Sequence, residues 1–255
     1  MTQSIMQDHA IHDAVDALVA ARRSGKRIAA LRAGSRPADI AAAHAIQDAT
    51  VPALGEHVAG WKVAVSAQGV MRGVILGSRM RPSPAELPAA DLLPLGIEAE
   101  IAFRFDRDLP ARPTDYAAEE VAAAATAVVG IEIVASRFED YANTPLLDRA
   151  ADCMSNGAFI IGTRRPQWRC TELSQLQATV RVNGRIAVQK TGGHPAGDPL
   201  LPAVALVNAL RHATGVRAGQ LITTGTYTGL HFVAPGDAIA VEFTDFGTAA
   251  VTLTR

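Results

Sequence analysis

The stretch Gly96-Ile97-Glu98-Ala99-Glu100-Ile101-Ala102-Phe103-Arg104-Phe105 decides the fold. Ile97, Ala99, Ile101, Phe103 and Phe105 alternate with Glu98, Glu100, Ala102 and Arg104. A period of two puts the apolar set on one face of a strand and both glutamates on the other. Carboxylates two residues apart on one face repel unless a cation sits between them. An amphipathic strand with its acids in water has the same pattern, so the flanking sequence has to separate the two readings.

Downstream, Ile131-Glu132-Ile133-Val134-Ala135 reads as a strand that is apolar on both faces except at Glu132. An ionised carboxylate in such a strand needs a positive partner to offset its lost hydration. Arg137 or another arginine supplies that charge, or a metal does. Upstream, Trp61-Lys62-Val63-Ala64-Val65 reads as a short strand. Lys62 stands in apolar company, with its stem buried and its head reaching solvent or a cleft.

Around these pieces the pattern predicts helices over 10–32 and from an N-cap at Ser35 to Pro52 or Gly55. Residues 69–95, dense in glycine and proline, read as irregular. Thr114 is the expected N-cap of a helix running through VAAAATAVV to Gly130. Residues 137–151 read as a polar turn or lid, and 152–157 as a turn opening the apolar strand 158–161. In VRVNGRIAV, Asn183-Gly184 separates two alternating runs and predicts a tight hairpin. Asp198 caps a helix closed by Gly215, and 221–226 is a strand ending in a Gly/Thr loop. A second hairpin is expected around Asp245-Phe246-Gly247.

The chain has 255 residues, of which 49% are hydrophobic and 19% charged, enough for a sizeable core. A net charge of −1 with no basic block excludes nucleic acid and anionic membranes as partners. No apolar run reaches the roughly 18 residues of a membrane span. Cys153 and Cys170 make no disulfide framework, and the first ten residues, MTQSIMQDHA, lack a signal-peptide core. A cytoplasmic location is expected. There is no G-x-G-x-x-G, P-loop or G-x-S-x-G, and the histidines have no zinc-site spacing. What remains is an all-oxygen set, Glu98, Glu100 and Glu132, of the kind that suits Mg²⁺ or Mn²⁺.

The chain resembles the fumarylacetoacetate hydrolase superfamily, and within it the 2-keto-4-pentenoate hydratase and 4-oxalocrotonate decarboxylase group. The resemblance runs from about residue 40 onward. It is carried by Ala45-Ile46-Gln47, Gly60-Trp61-Lys62-Val63, Ile97-Glu98-Ala99-Glu100-Ile101-Ala102-Phe103, Ile131 to Arg137, Asp152 to Gly157, Gly193-His194-Pro195 and Gly225-Thr226. It implies an α+β, β-rich fold with N-terminal helices: a helical segment over 1–58 and a catalytic unit over 59–255. It also implies Mg²⁺ or Mn²⁺ held by Glu98, Glu100 and Glu132, a catalytic Lys62, and a substrate pocket lined by Ser155 and Thr226.

The implied activity is a lyase acting on small unsaturated 2-oxo acids from aromatic catabolism, first of all a 2-keto-4-pentenoate hydratase. Decarboxylation, C–C hydrolysis or a non-catalytic partner subunit are the alternatives. A homo-oligomer is implied, with a complex with a related pathway enzyme as a further expectation. In one place the chain departs from the pattern. Hydratases of this group carry an aspartate shortly before the methionine matching Met80, and here no acid lies between Gly73 and Met80.

Overall fold

The computed structural model describes residues 2–255, with side chains from residue 9 onward. Helices α1 (Thr2–Ser24) and α2 (Ile40–Ala53) lead into strands β1 (Val58–Ser66), β2 (Gly69–Leu76), β3 (Met80–Pro82) and β4 (Ala85–Pro88). Then come β5 (Pro94–Phe105), α3 (Ala118–Ala124), β6 (Ala125–Ala135), α4 (Leu146–Ala151) and β7 (Asn156–Arg165). The hairpin of β8 (Gln177–Val182) and β9 (Arg185–Thr191) precedes α5 (Leu200–Leu210) and β10 (Leu221–Thr226). β11 (His231–Phe232), β12 (Ala238–Phe243) and β13 (Gly247–Thr254) complete the chain.

The strands form two sheets. The larger runs β2-β1-β10-β5-β6-β7-β3, with β11 paired to β5, and the smaller runs β4-β13-β12-β8-β9. The opening stretch is the centre of the larger sheet: β5 pairs β6 antiparallel along its length and β10 on its other side. Its odd positions, Ile97 to Phe105, pack into the main core with Val180, Val241, Phe243, Val251 and Leu253 of the smaller sheet. Its even face is enclosed as well. Ala102 is buried with Ile75, Phe159 and Leu221, drawn from β5, β2, β7 and β10. Strands near opposite ends of the order meet only if the sheet curls, and β2 does contact β7. The two acids therefore look into a furrow of protein and not out to bulk water.

The N-terminal helices sit outside this furrow. Leu18 of α1 and Ile46 of α2 join Met71, Phe138, Ala150 and Ala151 in a separate apolar cluster. That cluster seats α4 against the mouth of the curled sheet.

Local structure departs from the sequence expectations where propensity and packing disagree. The helix expected to reach Gly130 stops at Ala124, its N-cap is Ala117 and not Thr114, and β6 begins at Ala125. Every residue of β6 is buried, including β-branched Thr126, Val128 and Val129. An unbroken apolar run has no period to tell a helix from a buried strand, and tertiary pairing settles it. Residues 69–95 are not irregular but hold β2, β3 and β4. α1 ends at Ser24, short of residue 32, and α2 starts at Ile40, with Asp39 as its N-cap accepting from Ala42 N–H at 2.8 Å, in place of Ser35. Residues 146–151 are helical within the expected turn segment. The hairpins form as read: Asn183 and Gly184 both take positive φ, 51° and 77°, as a tight primed turn requires.

One packing contact has a pH signature. His44 of α2 accepts the Arg72 backbone N–H at Nε2, 3.1 Å away, so its ring must be neutral at that nitrogen. Burial first, and then the Arg72 guanidinium, hold its pKa down to about 4. An unfolded chain takes up that proton near pH 6.5. The contribution is therefore complete above about pH 6.5 and is lost as pH falls towards 4. We expect the urea midpoint to drop between pH 7 and pH 5, and the drop to shrink in His44→Gln, which keeps an acceptor without a titrating ring.

Candidate active site

In the β5–β6 register Glu98 lies directly opposite Glu132, and Glu100 opposite Gly130. Glu98 and Glu132 thus share one face of the ladder, with Glu100 one pleat along. The three carboxylates bring oxygens within 4.8 Å of one another. Two unit charges that close repel by about 3.5 kcal/mol at an effective dielectric of about 20. Glu132 is 0% and Glu100 2% exposed, so water does little to relieve it.

Lys62 answers part of that charge. Its Nζ lies 2.5 Å from Glu132 Oε1. β1 and β6 are separated by β10 and β5. In a flat sheet that is three spacings of about 4.8 Å, so the pair exists because the sheet curls. Burial pulls the ammonium down, but the combined attraction of Glu132, Glu98 and Glu100 outweighs it and Lys62 stays protonated. Arg137, the alternative partner for Glu132, is engaged elsewhere. Its Nε donates to Asp152 Oδ1 at 2.6 Å, and Arg22 joins the same oxygen at 3.1 Å.

Polar neighbours hold the acids in place. Asn156 Nδ2, at the start of β7, donates to Glu132 Oε1 at 3.2 Å. The Thr223 hydroxyl donates to Glu100 Oε2, which also accepts the Gly225 N–H at 3.2 Å. Gly225 has φ +119°, a conformation that suits glycine. Glu132 Oε2 is buried and has no hydrogen-bond partner among the described residues.

Ser155 enters from a tight turn. Cys153, Met154 and Ser155 have φ of 54°, 51° and 57°, three successive non-glycine residues in the left-handed region, where strain is stored. Gly73 permits it: a Cβ there would stand 2.4 Å from the Cys153 carbonyl oxygen. The turn delivers Ser155 Oγ, buried and without a partner, to a cavity of about 210 Å³ that Lys62 and Glu98 also line. Thr226 pairs with Glu100 in register, but its hydroxyl caps its own turn, accepting Thr228 N–H at 3.2 Å and Gly229 N–H at 3.1 Å. The Gly/Thr loop ending 221–226 has the backbone N–H and hydroxyl donors that suit an anion, and Thr223 and Gly225 direct theirs to Glu100, whereas the side chain of Asn156 has no such signal in the sequence. Which anion those donors would meet is a matter of strand pairing, since Glu100 lies on β5 and Thr223 on β10.

The donor set fits a divalent cation. Three carboxylates against one ammonium leave two negative charges uncompensated. Ligand oxygens about 2.0–2.6 Å from one ion lie within about 5 Å of each other, as these do. A cation would also satisfy the orphaned Glu132 Oε2. Protons balance the charge otherwise. Burial pushes Glu98 up to about 7 against the pull of Lys62, with Glu132 adding to the rise, and burial together with Glu132 and Glu98 raises Glu100 well above the carboxylate range.

The fumarylacetoacetate (FAA) hydrolase C-terminal family model matches residues 57–254. A 2-keto-4-pentenoate hydratase of Burkholderia vietnamiensis is 29% identical over 261 residues, covering 97% of this chain and 99% of that protein. One from Paraburkholderia phymatum is 30% identical over 231 residues, 86% of this chain and 87% of that protein. Among solved structures, 4-oxalocrotonate decarboxylase from Pseudomonas putida G7, complexed with magnesium and adipate, superposes with a TM-score of 0.83 at 22% identity, covering 96% of this chain and 97% of that one.

The crowding of the acids makes a stability prediction. Glu98→Gln removes one charge from the cluster and should stabilise the metal-free protein at pH 8.5 by about 1 kcal/mol, or about 2–4 °C in Tm for a chain this long. The same substitution should abolish the rise in Tm that Mg²⁺ or Mn²⁺ gives the parent. Thermal melts with and without the ion check both.

Proposed function

The chain belongs to the fumarylacetoacetate (FAA) hydrolase C-terminal family, and we propose that it is a divalent-cation-dependent lyase of small unsaturated 2-oxo acids, hydrating a 2-hydroxypenta-2,4-dienoate-type substrate from aromatic breakdown. The observation that carries this reading is the convergence of Glu98, Glu100 and Glu132 beside Lys62, with Glu98 and Lys62 at the wall of a cavity of about 210 Å³. Glu98, Glu100 and Glu132 are the residues that would hold Mg²⁺ or Mn²⁺. When bound, such an ion supplies positive charge to the carboxylate and 2-oxo oxygen of the substrate, favouring the enolate form.

The chain's own groups do the rest. The Lys62 ammonium, held at Glu132, keeps a proton at Nζ beside the position where enolate charge develops; as the dienol becomes an enone it can deliver that proton to carbon and take up the one released from the enol oxygen. Ser155 Oγ, with no partner among the described residues, is available to orient the acid or the incoming water. Met71, Val134 and Met154 line the cavity and give the carbon chain an apolar seat. Water then adds to the conjugated double bond, its hydroxyl going to the β carbon and its proton to the α carbon.

A second reading, decarboxylation of a 4-oxalocrotonate-type acid, is favoured by the lack of an acid between Gly73 and Met80. Ser78 and Arg79 stand there instead, and Arg79 lies beside Arg22 and Ser136, in a different cavity from Lys62. No helix among the described residues is long and apolar enough to cross a membrane. A homo-oligomer in the cytoplasm, alone or with a related pathway enzyme, belongs to the same proposal, and exposed Leu146, Leu201 and Phe232 offer contact area.

Product analysis tests the proposal: water incorporated without loss of carbon marks a hydratase, CO₂ release a decarboxylase. EDTA should remove turnover and Mg²⁺ or Mn²⁺ restore it. Lys62→Met should lower kcat by about 10²- to 10⁴-fold. Undiminished turnover by EDTA-treated protein would overturn the reading.

A further inference from the structure

The cavity beside Lys62 and Glu98 also holds a cation for which the proposed chemistry has no use. Arg149, on α4, lines it together with Tyr141 and Leu146. Its guanidinium lies over the Tyr141 ring, 5.6 Å from the centroid, which restricts where the fork can point. Its Nε is buried and has no hydrogen-bond partner among the described residues. Arg149 takes part in no ion pair among the described residues. The acids nearest to it in sequence are already taken: Asp148 by Arg36 at 2.8 Å, and Asp152 by Arg22 and Arg137. Glu98, the one acid lining the cavity, belongs to the carboxylate cluster.

A buried guanidinium donor without a partner is costly, and a planar carboxylate is the group that best completes it. In this cavity one end is built for the head of a 2-oxo acid. Met71, Val134 and Met154 form apolar wall, and Arg149 adds a positive wall of its own. A neutral vinyl or methyl tail would leave the guanidinium unmatched.

We propose that Arg149 is a specificity residue that selects 2-oxo acids with a second carboxylate at the far end of the carbon chain. The inference rests on the reading of the three-glutamate cluster as the seat of the 2-oxo acid head. It keeps the 2-oxo acid head and the lyase chemistry but replaces the five-carbon monoanion with a longer dianionic acid as the preferred substrate, whichever bond is then made or broken.

A binding experiment separates the two levels. Full-length protein loaded with Mn²⁺ is titrated with 2-oxoadipate and with 2-oxohexanoate, which differ in a terminal carboxylate against a methyl group. The parent should bind 2-oxoadipate about 10- to 100-fold more tightly, the range expected for hydrogen bonds to a charged partner. Arg149→Met should erase that preference, and Arg149→Lys, which keeps the charge without the fork, should restore part of it. Equal affinity of the parent for the two acids, or a preference undiminished in Arg149→Met, would overturn the role of Arg149 and leave the lyase reading standing. Binding of neither acid in the presence of Mn²⁺ would overturn the underlying reading, and this one with it. Circular dichroism of both variants confirms that they are folded.

Discussion

The structure turns on a repulsion. Glu98 and Glu132 face each other across the central antiparallel pair of the sheet, where like charges destabilise the ladder. Glu100 adds a third carboxylate within 4.8 Å. The surrounding fold is arranged so that this crowding persists. The sheet curls to bring Lys62 onto Glu132, Asn156 and Thr223 donate to the acids, and the apolar faces of β5 and β6 bury enough surface to keep the strands paired. Replacing the acids with apolar residues would make a quieter strand pair without the donor set that a hard dication requires.

The compensation is incomplete in a particular way. Among the described residues Glu132 Oε2 is buried without a partner, and so are Ser155 Oγ and Arg149 Nε, whose side chains line one cavity beside the acids. Most buried polar atoms in folded proteins are paired. Unpaired ones gathered near a cavity mark where the protein's own hydrogen bonding stops and a ligand's begins. The left-handed turn at Cys153, Met154 and Ser155 belongs to the same economy of strain. It is tolerated because Gly73 makes room and because Asp152, clamped by Arg22 and Arg137, anchors its start.

How much of this was legible beforehand depends on the range of the interaction. Period-two alternation placed both β5 glutamates on one face, and the Asn183-Gly184 pair announced its hairpin, because both signals lie within a few residues. The stretch from Ala125 to Val129 reads locally as helix and folds as strand. Alanine favours helices locally, while its place between β5 and β7 is a long-range fact. Residues 69–95 read locally as irregular yet hold three strands, since glycine and proline punctuate short strands as readily as turns. Arg137 was a sensible partner for Glu132 by proximity in sequence, yet Asp152 claims it and Lys62, seventy residues upstream, takes its place.

By itself, then, the sequence determined the chemical inventory: an oxygen-only ligand set, a lysine in apolar company, and strands with one face reserved for carboxylates. Residue type and short-range periodicity carry that information directly. Tertiary structure alone decided which of those groups meet. The pairing of Lys62 with Glu132, the orphaned oxygen opposite it and the unmatched guanidinium of Arg149 all follow from the curl of the sheet and the seating of α4. Such contacts join residues far apart along the chain, and only strand register and sheet curvature bring them within hydrogen-bonding reach.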